Sequence, residues 1–496
     1  MLECIAVISG MLVMILEMTG ARVMAPHLGT SITVWTSLIG VVLGCLALGA
    51  WLGGRLADQG PSTRRLALIL AWAGIGMALT GFLHAPVASW IAAGVINPYL
   101  AAVLCACVLF GLPATFFGMV TPYIIRLRMV GLATSGRVVG RLYALSTLGS
   151  IAGTFLGGFA LVSWFRSTHI LLGGGAVMLL LSVLAWSRPL RVRVSLLVII
   201  LLGSWFLTSW THFQEENGSI ISLETPYNHI RIGRATGSAG RDLLYLRTDP
   251  GAFQSAMYMD DPAELALDYT RLYALGTVLV PQAQRVLMLG GGGYSVPKWL
   301  LAGRSDLNPD TLQVDVVEID PGMTAAAKKY FQLPVDKRLR VFHEDVRVFC
   351  NRNTTRYDLV FVDVFGSNYT VPFHAGTVEA AEAMRRAVAD HGALLMNVIA
   401  SIEGDAGRLL WSIRNSLAEH FAEVHAIVVG DPGNPNSIQN FMLLALPMPR
   451  PNILSAGHEL AAFRHQLVPP NSSTPPLRDE FAPVERYALP LARPIL

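Results

Sequence analysis

Four short stretches of this 496-residue sequence carry residue types that could do chemistry, at spacings of roughly 20–25 residues. The first is Gly290-Gly291-Gly292-Gly293-Tyr294. Glycines let backbone approach a ligand closely, and at a helix start they leave amides free for it. The second is Glu318, with Asp320 behind it; a carboxylate here can accept both hydroxyls of a ribose. The third is Asp345, placed to accept from an adenine amino group. The fourth is Asp363. Each acid alone is more often a helix cap or a solvated loop residue. All four in order point to a nucleoside ligand. The missing third spaced glycine, and an acid at the end of the second strand, favour an adenosyl-type ligand over a dinucleotide.

These residues need a frame, and the apolar patterning supplies one. From about residue 265, strand-like runs alternate with helical ones. Strands are expected at 285–289, 313–317, 339–342, 358–362, 393–398 and 423–428. Fully apolar strands with helical crossovers predict a parallel sheet covered on both faces. The four features then fall at the C-terminal ends of successive strands, where open α/β sheets bind ligands. Before this region, residues 219–260 alternate and turn, which predicts a small antiparallel sheet. After 447 the chain is rich in Pro and Ser and reads as an irregular tail.

The N-terminal part is of another kind. The chain is 53% hydrophobic and 14% charged, against about 25% charged in soluble proteins, and its mean hydropathy is +0.48. Residues 1–212 hold three acids (Glu3, Glu17, Asp58), twelve Arg and no Lys. Seven spans are expected, at 3–21, 32–53, 66–83, 99–125, 138–162, 169–186 and 194–211. Loops after the second, fourth and sixth carry ten of the twelve Arg. The positive-inside rule puts those loops and the N-terminus in the cytoplasm, and seven spans leave the globular half on the outer face of an inner membrane. Gly40, Gly44 and Gly49, and Gly149, Gly153, Gly157 and Gly158, predict close helix packing. Glu17 and Arg22 are expected to pair or to mark an intramembrane site. The patterning divides the chain into a membrane bundle (1–212), a small antiparallel β domain (213–262), a ligand-binding α/β domain (263–447) and a Pro-rich tail (448–496). A wholly soluble protein and a pure transporter are both excluded, and the net charge of +3 argues nothing about nucleic acid. The five Cys offer neither a disulfide framework nor a zinc spacing, and no metal is expected.

Further stretches carry a family resemblance. They are Glu224-Thr225-Pro226-Tyr227-Asn228-His229-Ile230, Asp249-Pro250-Gly251-Ala252-Phe253-Gln254, Val317-Glu318-Ile319-Asp320, Glu344-Asp345, Tyr357 through Asp363, and Asp479 through Glu485. In the membrane half they are Glu17 through Pro26, Trp35, and Gly53 to Asp58. With these and the glycine run, the globular half resembles the spermidine synthase family of aminopropyltransferases, and the whole chain looks like its membrane-fused branch.

The resemblance implies a class I methyltransferase-like (Rossmann-like) fold behind a polytopic helical bundle. It implies a site for decarboxylated S-adenosylmethionine, or S-adenosylmethionine itself, and release of methylthioadenosine. Gly290, Gly291 and Gly292 would cradle the nucleoside. Gln254 would hold the aminopropyl side or the nucleoside, Glu318 the ribose and Asp345 the adenine. Asp363 would lie by the transferring carbon and the amine. The implied partners are a nucleoside donor, an amine-like acceptor and the lipid bilayer, with a homodimer left open. Three departures stand out. Soluble relatives carry an Asp where this chain has Gly293, a second Asp where it has Gly366, and Tyr-His-Glu where it has Tyr269-Thr270-Arg271. The nucleoside half of the site thus looks intact and the diamine half does not. Tyr227, His229, Tyr369 and His374 could line a different acceptor pocket, or be core aromatics and a capping His. The alternatives are a membrane methyltransferase, and a transporter or sensor with a nucleoside-binding domain.

Overall fold

The computed structural model describes the chain except residues 30, 96, 130, 132–134, 187–220 (apart from 192, 195 and 203), 238–239, 249–252, 365–371, 451–458 and 493–496. It divides into two compact units, Met1–Gly218 and Ser219–Leu496.

Six helices in the first unit are long and apolar enough to cross a membrane. They are α1 (Leu2–Leu28), α2 (Ile32–Asp58), α3 (Thr63–Gly94), α4 (Pro98–Arg128), α5 (Ser135–Phe155, running into a π-helical turn, Leu156–Leu161) and α6 (Ser167–Ala185). The expected seventh span, 194–211, lies outside the described residues. Pro113 and Pro122 both sit inside α4, which continues through them. Side chains longer than hydrogen at key positions would close the helix contacts. A Cβ on Gly149 or Gly153 would run into the Val7 or Met11 carbonyl of α1, and one on Gly53 would lie 2.6 Å from the Met119 carbonyl of α4. Gly40 and Gly44 differ from expectation: nothing among the described residues lies within 4 Å of a Cβ there. Arg22 donates to the Val162 carbonyl at 2.8 Å, at the end of the π-helical turn. Glu3 at the start of α1 reaches Arg128 (3.7 Å) and Arg141 (3.1 Å), and Arg126 reaches Asp58 (3.5 Å). One end of the bundle therefore pairs the arginines flanking the α4–α5 connection with acids of α1 and α2.

The second unit begins with a four-stranded antiparallel sheet, β1 (Ile221–Glu224), β2 (His229–Thr236), β3 (Asp242–Arg247) and β4 (Ser255–Tyr258). After short helices α7 (Asp268–Arg271) and α8 (Ala274–Leu279) comes an eight-stranded sheet. Its strands are β5 (Arg285–Leu289), β6 (Gln313–Val317), β7 (Leu339–Phe342), β8 (Tyr357–Val362), β9 (Val388–Ala400), β10 (Glu423–Val428), β11 (Gln439–Leu446) and β12 (Leu467–Val468), in the order 12-10-11-9-8-5-6-7. Strands β7, β6, β5, β8 and β9 are parallel, as expected. The rest corrects the expectation of a parallel sheet: β11 inserts antiparallel between β9 and β10, and β12 adds antiparallel to β10. The connecting helices are α9 (Ser295–Leu301), α10 (Pro321–Tyr330), α11 (Val346–Arg352), α12 (Val378–Ala387), α13 (Gly404–Ala418) and α14 (Val484–Ala488).

Apolar residues on both faces of the central strands make two cores. Leu287, Val360 and Leu394 face α12 and α13, whereas Val286, Leu359 and Leu395 face α8 and α9. The tail is not an irregular appendage. Leu477, Val484, Ala488 and Leu491 are buried in the core under α12 and α13. The strand order reverses between β5 and β8, both of which end at the same edge; Asp363 donates its amide to the Leu289 carbonyl at 2.8 Å. Such a switch opens a crevice at the carboxyl ends of the strands.

Candidate nucleoside site

The glycine loop leaves β5 by a turn that other residues resist. Gly290 has φ +93°, and its Cβ would meet the Asp363 carbonyl. Gly292 has φ +50° and Tyr294 φ +56°. The loop amides close on Glu318 at the end of β6. Its Oε2 accepts from Gly291 (2.8 Å) and Gly292 (3.2 Å), and its Oε1 from Asp320 N (2.9 Å). Glu318 is buried, which raises its pKa; the three amides pull it back down in part. A carboxylate has about four acceptor sites, so one remains for a ligand hydroxyl.

Asp320 does different work from its neighbour. It is fully buried; Oδ1 caps α10 through Gly322 N (2.9 Å), and Oδ2 takes Thr225 Oγ1 (2.6 Å) and Asn228 Nδ2 (2.8 Å). This clasp brings the turn between β1 and β2, with exposed Tyr227, to the end of β6. His229 at the start of β2 shares a 2.7 Å hydrogen bond with Ser222 Oγ.

Asp345, after β7, caps α11: Oδ1 accepts from Arg347 N (2.8 Å) and Val348 N (3.1 Å). Its Oδ2 lies 3.0 Å from His374 Nε2. His374 therefore stands at the position expected for the base, and its described partner is Asp345. The His374 carbonyl accepts from Arg347 Nη1 (3.4 Å), and Arg347 pairs with Asp479 of the tail at 3.0 Å. Asp479 also takes the Thr377 hydroxyl (2.7 Å).

Asp363, after β8, is held from two directions. Tyr269 of α7 donates to Oδ2 and Asn397 of β9 to Oδ1, both at 3.0 Å. Asn440 of β11 donates in turn to Asn397 Oδ1 (2.9 Å). Burial raises the Asp363 pKa above the ordinary carboxylate range, and the two donors offset part of the rise. The Tyr269 phenol is pushed well above its usual value by burial and by the Asp363 charge, so it stays a donor. Tyr269 Oη also lies 3.3 Å from the Gln254 carbonyl, which ties Gln254 to the Asp363 side of the crevice. The Gln254 amide oxygen accepts from Thr248 (3.0 Å).

The structure thus joins Gly291, Gly292 and Glu318 directly, sets Gly290 against Asp363, links Gln254 to Asp363 through Tyr269, and pairs Asp345 with His374. Tyr369 and Gly366 lie outside the described residues. Sequence reasoning missed Tyr269, Asn397 and Asn440; the Tyr269 triplet was read only as a departure. It also missed Ser255, whose Oγ accepts from Gly293 N (2.8 Å). A Cβ on Gly293 would lie 2.9 Å from Ser255 Cβ, so no Asp fits there without a shift. No group of three or more metal-ligating side chains occurs among the described residues.

A glycine loop, a buried acid and a raised-pKa acid meet at a topological switch of the α/β sheet, where such sheets bind ligands. No family model matches the chain. It is 26% identical over 223 residues to the polyamine aminopropyltransferase of Vibrio vulnificus, covering 44% of this chain and 68% of that protein. It is 33% identical over 129 residues to the polyamine aminopropyltransferase of Neisseria meningitidis, covering 25% of this chain and 44% of that protein, which is under half of the relative's length. Among solved structures, a probable spermidine synthase from Corynebacterium glutamicum covers 52% of this chain and 95% of its own, at 20% identity and a TM-score of 0.43. The globular half is thus similar in sequence to polyamine aminopropyltransferases.

Proposed function

We propose that this protein is a membrane-bound aminopropyltransferase-type enzyme. It takes decarboxylated S-adenosylmethionine, or S-adenosylmethionine, and releases methylthioadenosine. The observation that carries the reading is Asp363: a carboxylate of raised pKa, held by Tyr269 and Asn397, at the switch point beside a glycine loop closed on Glu318.

In this reading Glu318 accepts from the ribose and Asp345, with His374, meets the base. The acceptor amine sits against Asp363. Its lone pair attacks the methylene next to the sulfonium, a C–N bond forms, and the C–S bond breaks. Sulfur keeps the electron pair and becomes a neutral thioether, and the proton lost from nitrogen goes to Asp363. Raising the pKa of that carboxylate makes it a better base.

The acceptor is proposed to be other than putrescine. A diamine is a dication at neutral pH, and burying it requires carboxylates. Gly293 and Gly366 offer no side chain. Asp320 is committed to Thr225 and Asn228, and Asp479 to Arg347 and Thr377. The test is product chromatography with each sulfonium donor, with and without putrescine. Methylthioadenosine with little spermidine is expected. Adenosylhomocysteine instead would establish the methyltransferase reading, which the missing acids also favour. Spermidine at about 1 s⁻¹ or more would overturn the acceptor proposal.

The long apolar helices are proposed to sit in the inner membrane with the arginine-rich end in the cytoplasm. Together with a span at 194–211, that orientation would put the globular half outside.

A further inference from the structure

The small sheet has two faces. Ile230 and Ile232 of β2 and Leu244 and Leu246 of β3 pack against Met323 and Ala326 of α10. Side chains alternate across a strand, so Arg231 and Arg247 lie on the face turned away. They are also in register, Arg231 directly opposite Arg247. Like charges directly opposite in a sheet are destabilising.

Neither guanidinium makes a hydrogen bond or an ion pair among the described residues, and Arg247 Nε is buried with no partner. Arg247 instead lies over two rings, 5.0 Å from the Tyr245 centroid and 4.6 Å from that of Phe253; the rings stack at 4.4 Å. Burial and the Arg247 charge hold Arg231 below the ordinary arginine value. The contrast is Arg241 on the same sheet, which is matched by Asp260 (2.8 and 2.9 Å) and Glu264 (2.9 Å). Half-buried guanidinium donors without acceptors are costly, and two neighbouring forks, one of them on an aromatic platform, suit one oxyanion.

We infer that Arg231 and Arg247 form a binding site for an oxyanion, a phosphate group in the first instance. The site lies beside the candidate crevice: Gln254, whose carbonyl faces Tyr269, donates its amide to Leu246, next to Arg247. The phosphate is carried either by a free small molecule or by a lipid headgroup. The chemistry of recognition is the same.

The experiment is calorimetric titration of inorganic phosphate into the full chain in nanodiscs of phosphatidylcholine, alone or mixed with phosphatidylglycerol. Arg231→Gln and Arg247→Gln are compared with the wild type. The wild type in phosphatidylcholine should bind phosphate, and each variant about tenfold more weakly or worse. Phosphatidylglycerol that competes with phosphate identifies a headgroup site; phosphatidylglycerol without effect identifies a site for a free ligand. Thermal midpoints in phosphate-free buffer should be no lower in the variants, because a like-charge pair has been relieved. No phosphate binding by the wild type, unchanged affinity in both variants, or a clear fall in both midpoints overturns the assignment.

Discussion

Replacing Asp363 by Asn separates the catalytic role proposed for this residue from its structural one. Asn keeps the shape and can still accept from Asn397 and meet Tyr269, each now 3.0 Å from a carboxylate oxygen. It cannot take a proton. A positioned general base contributes about 10²–10⁴-fold, or ~3–5 kcal/mol of barrier, so methylthioadenosine release should fall by that much. Stability should move the other way. Burial raises the folded-state pKa of Asp363 above its unfolded value. A group of that kind supports the fold fully when protonated, below the unfolded pKa, and loses that support as pH rises through the folded pKa. Asn does not titrate. The thermal midpoint of Asp363→Asn should therefore gain on the wild type from about pH 4 to pH 8, across and above the carboxylate range. Thermal unfolding at both pH values, with chromatography of released methylthioadenosine, is the assay. A variant that turns over within tenfold of wild type, or whose midpoint drops further behind as pH rises, would refute the reasoning.

Other outcomes follow from the same geometry. Glu318→Gln and Asp345→Asn should each weaken methylthioadenosine binding by about 1–3 kcal/mol in calorimetry, and wild-type affinity in both would remove the site assignment. Gly290→Ala forces a side chain into φ +93° and onto the Asp363 carbonyl; denaturant unfolding should show a loss of more than ~1 kcal/mol. A single reporter Cys after Glu216 should react with an impermeant maleimide in intact spheroplasts, whereas labelling only after lysis would put the globular half in the cytoplasm.

Much of the frame could be read from the chain because buried parallel strands announce themselves as short apolar runs. Strands β5, β6, β7 and β10 begin and end at the expected residues. Strand β9 is longer than expected: it starts at Val388, ahead of a register irregularity against β8 that the apolar run 393–398 does not signal. Strand β11 went unread, since Phe441 to Leu446 is an apolar run too short to distinguish strand from helix. Its insertion also could not be foreseen from local pattern, because only long-range pairing sets it antiparallel between β9 and β10. The site follows the same division. The acids were legible because each directly follows a strand. Tyr269, Asn397 and Ser255 were not, because their partners Asp363 and Gly293 lie 34 to 94 residues away and only the fold brings them together.

The bracing of Asp345 has a consequence for how the protein is made. His374 rests on Asp345, Arg347 holds the His374 carbonyl, and Asp479 holds Arg347, so the Asp345 end of the crevice depends on a residue 132 positions downstream of Arg347. The same stretch places Leu477, Val484 and Leu491 in the core beneath α12 and α13. Chains emerge from the ribosome N-terminus first, and domains fold as units once their parts are available. A nascent chain must therefore wait, its core incomplete on one side and its crevice unbraced, until those residues have been synthesised. Ribosome-stalled intermediates halted just before Leu477 emerges should be open to protease in the globular half, and those released past Leu491 should not.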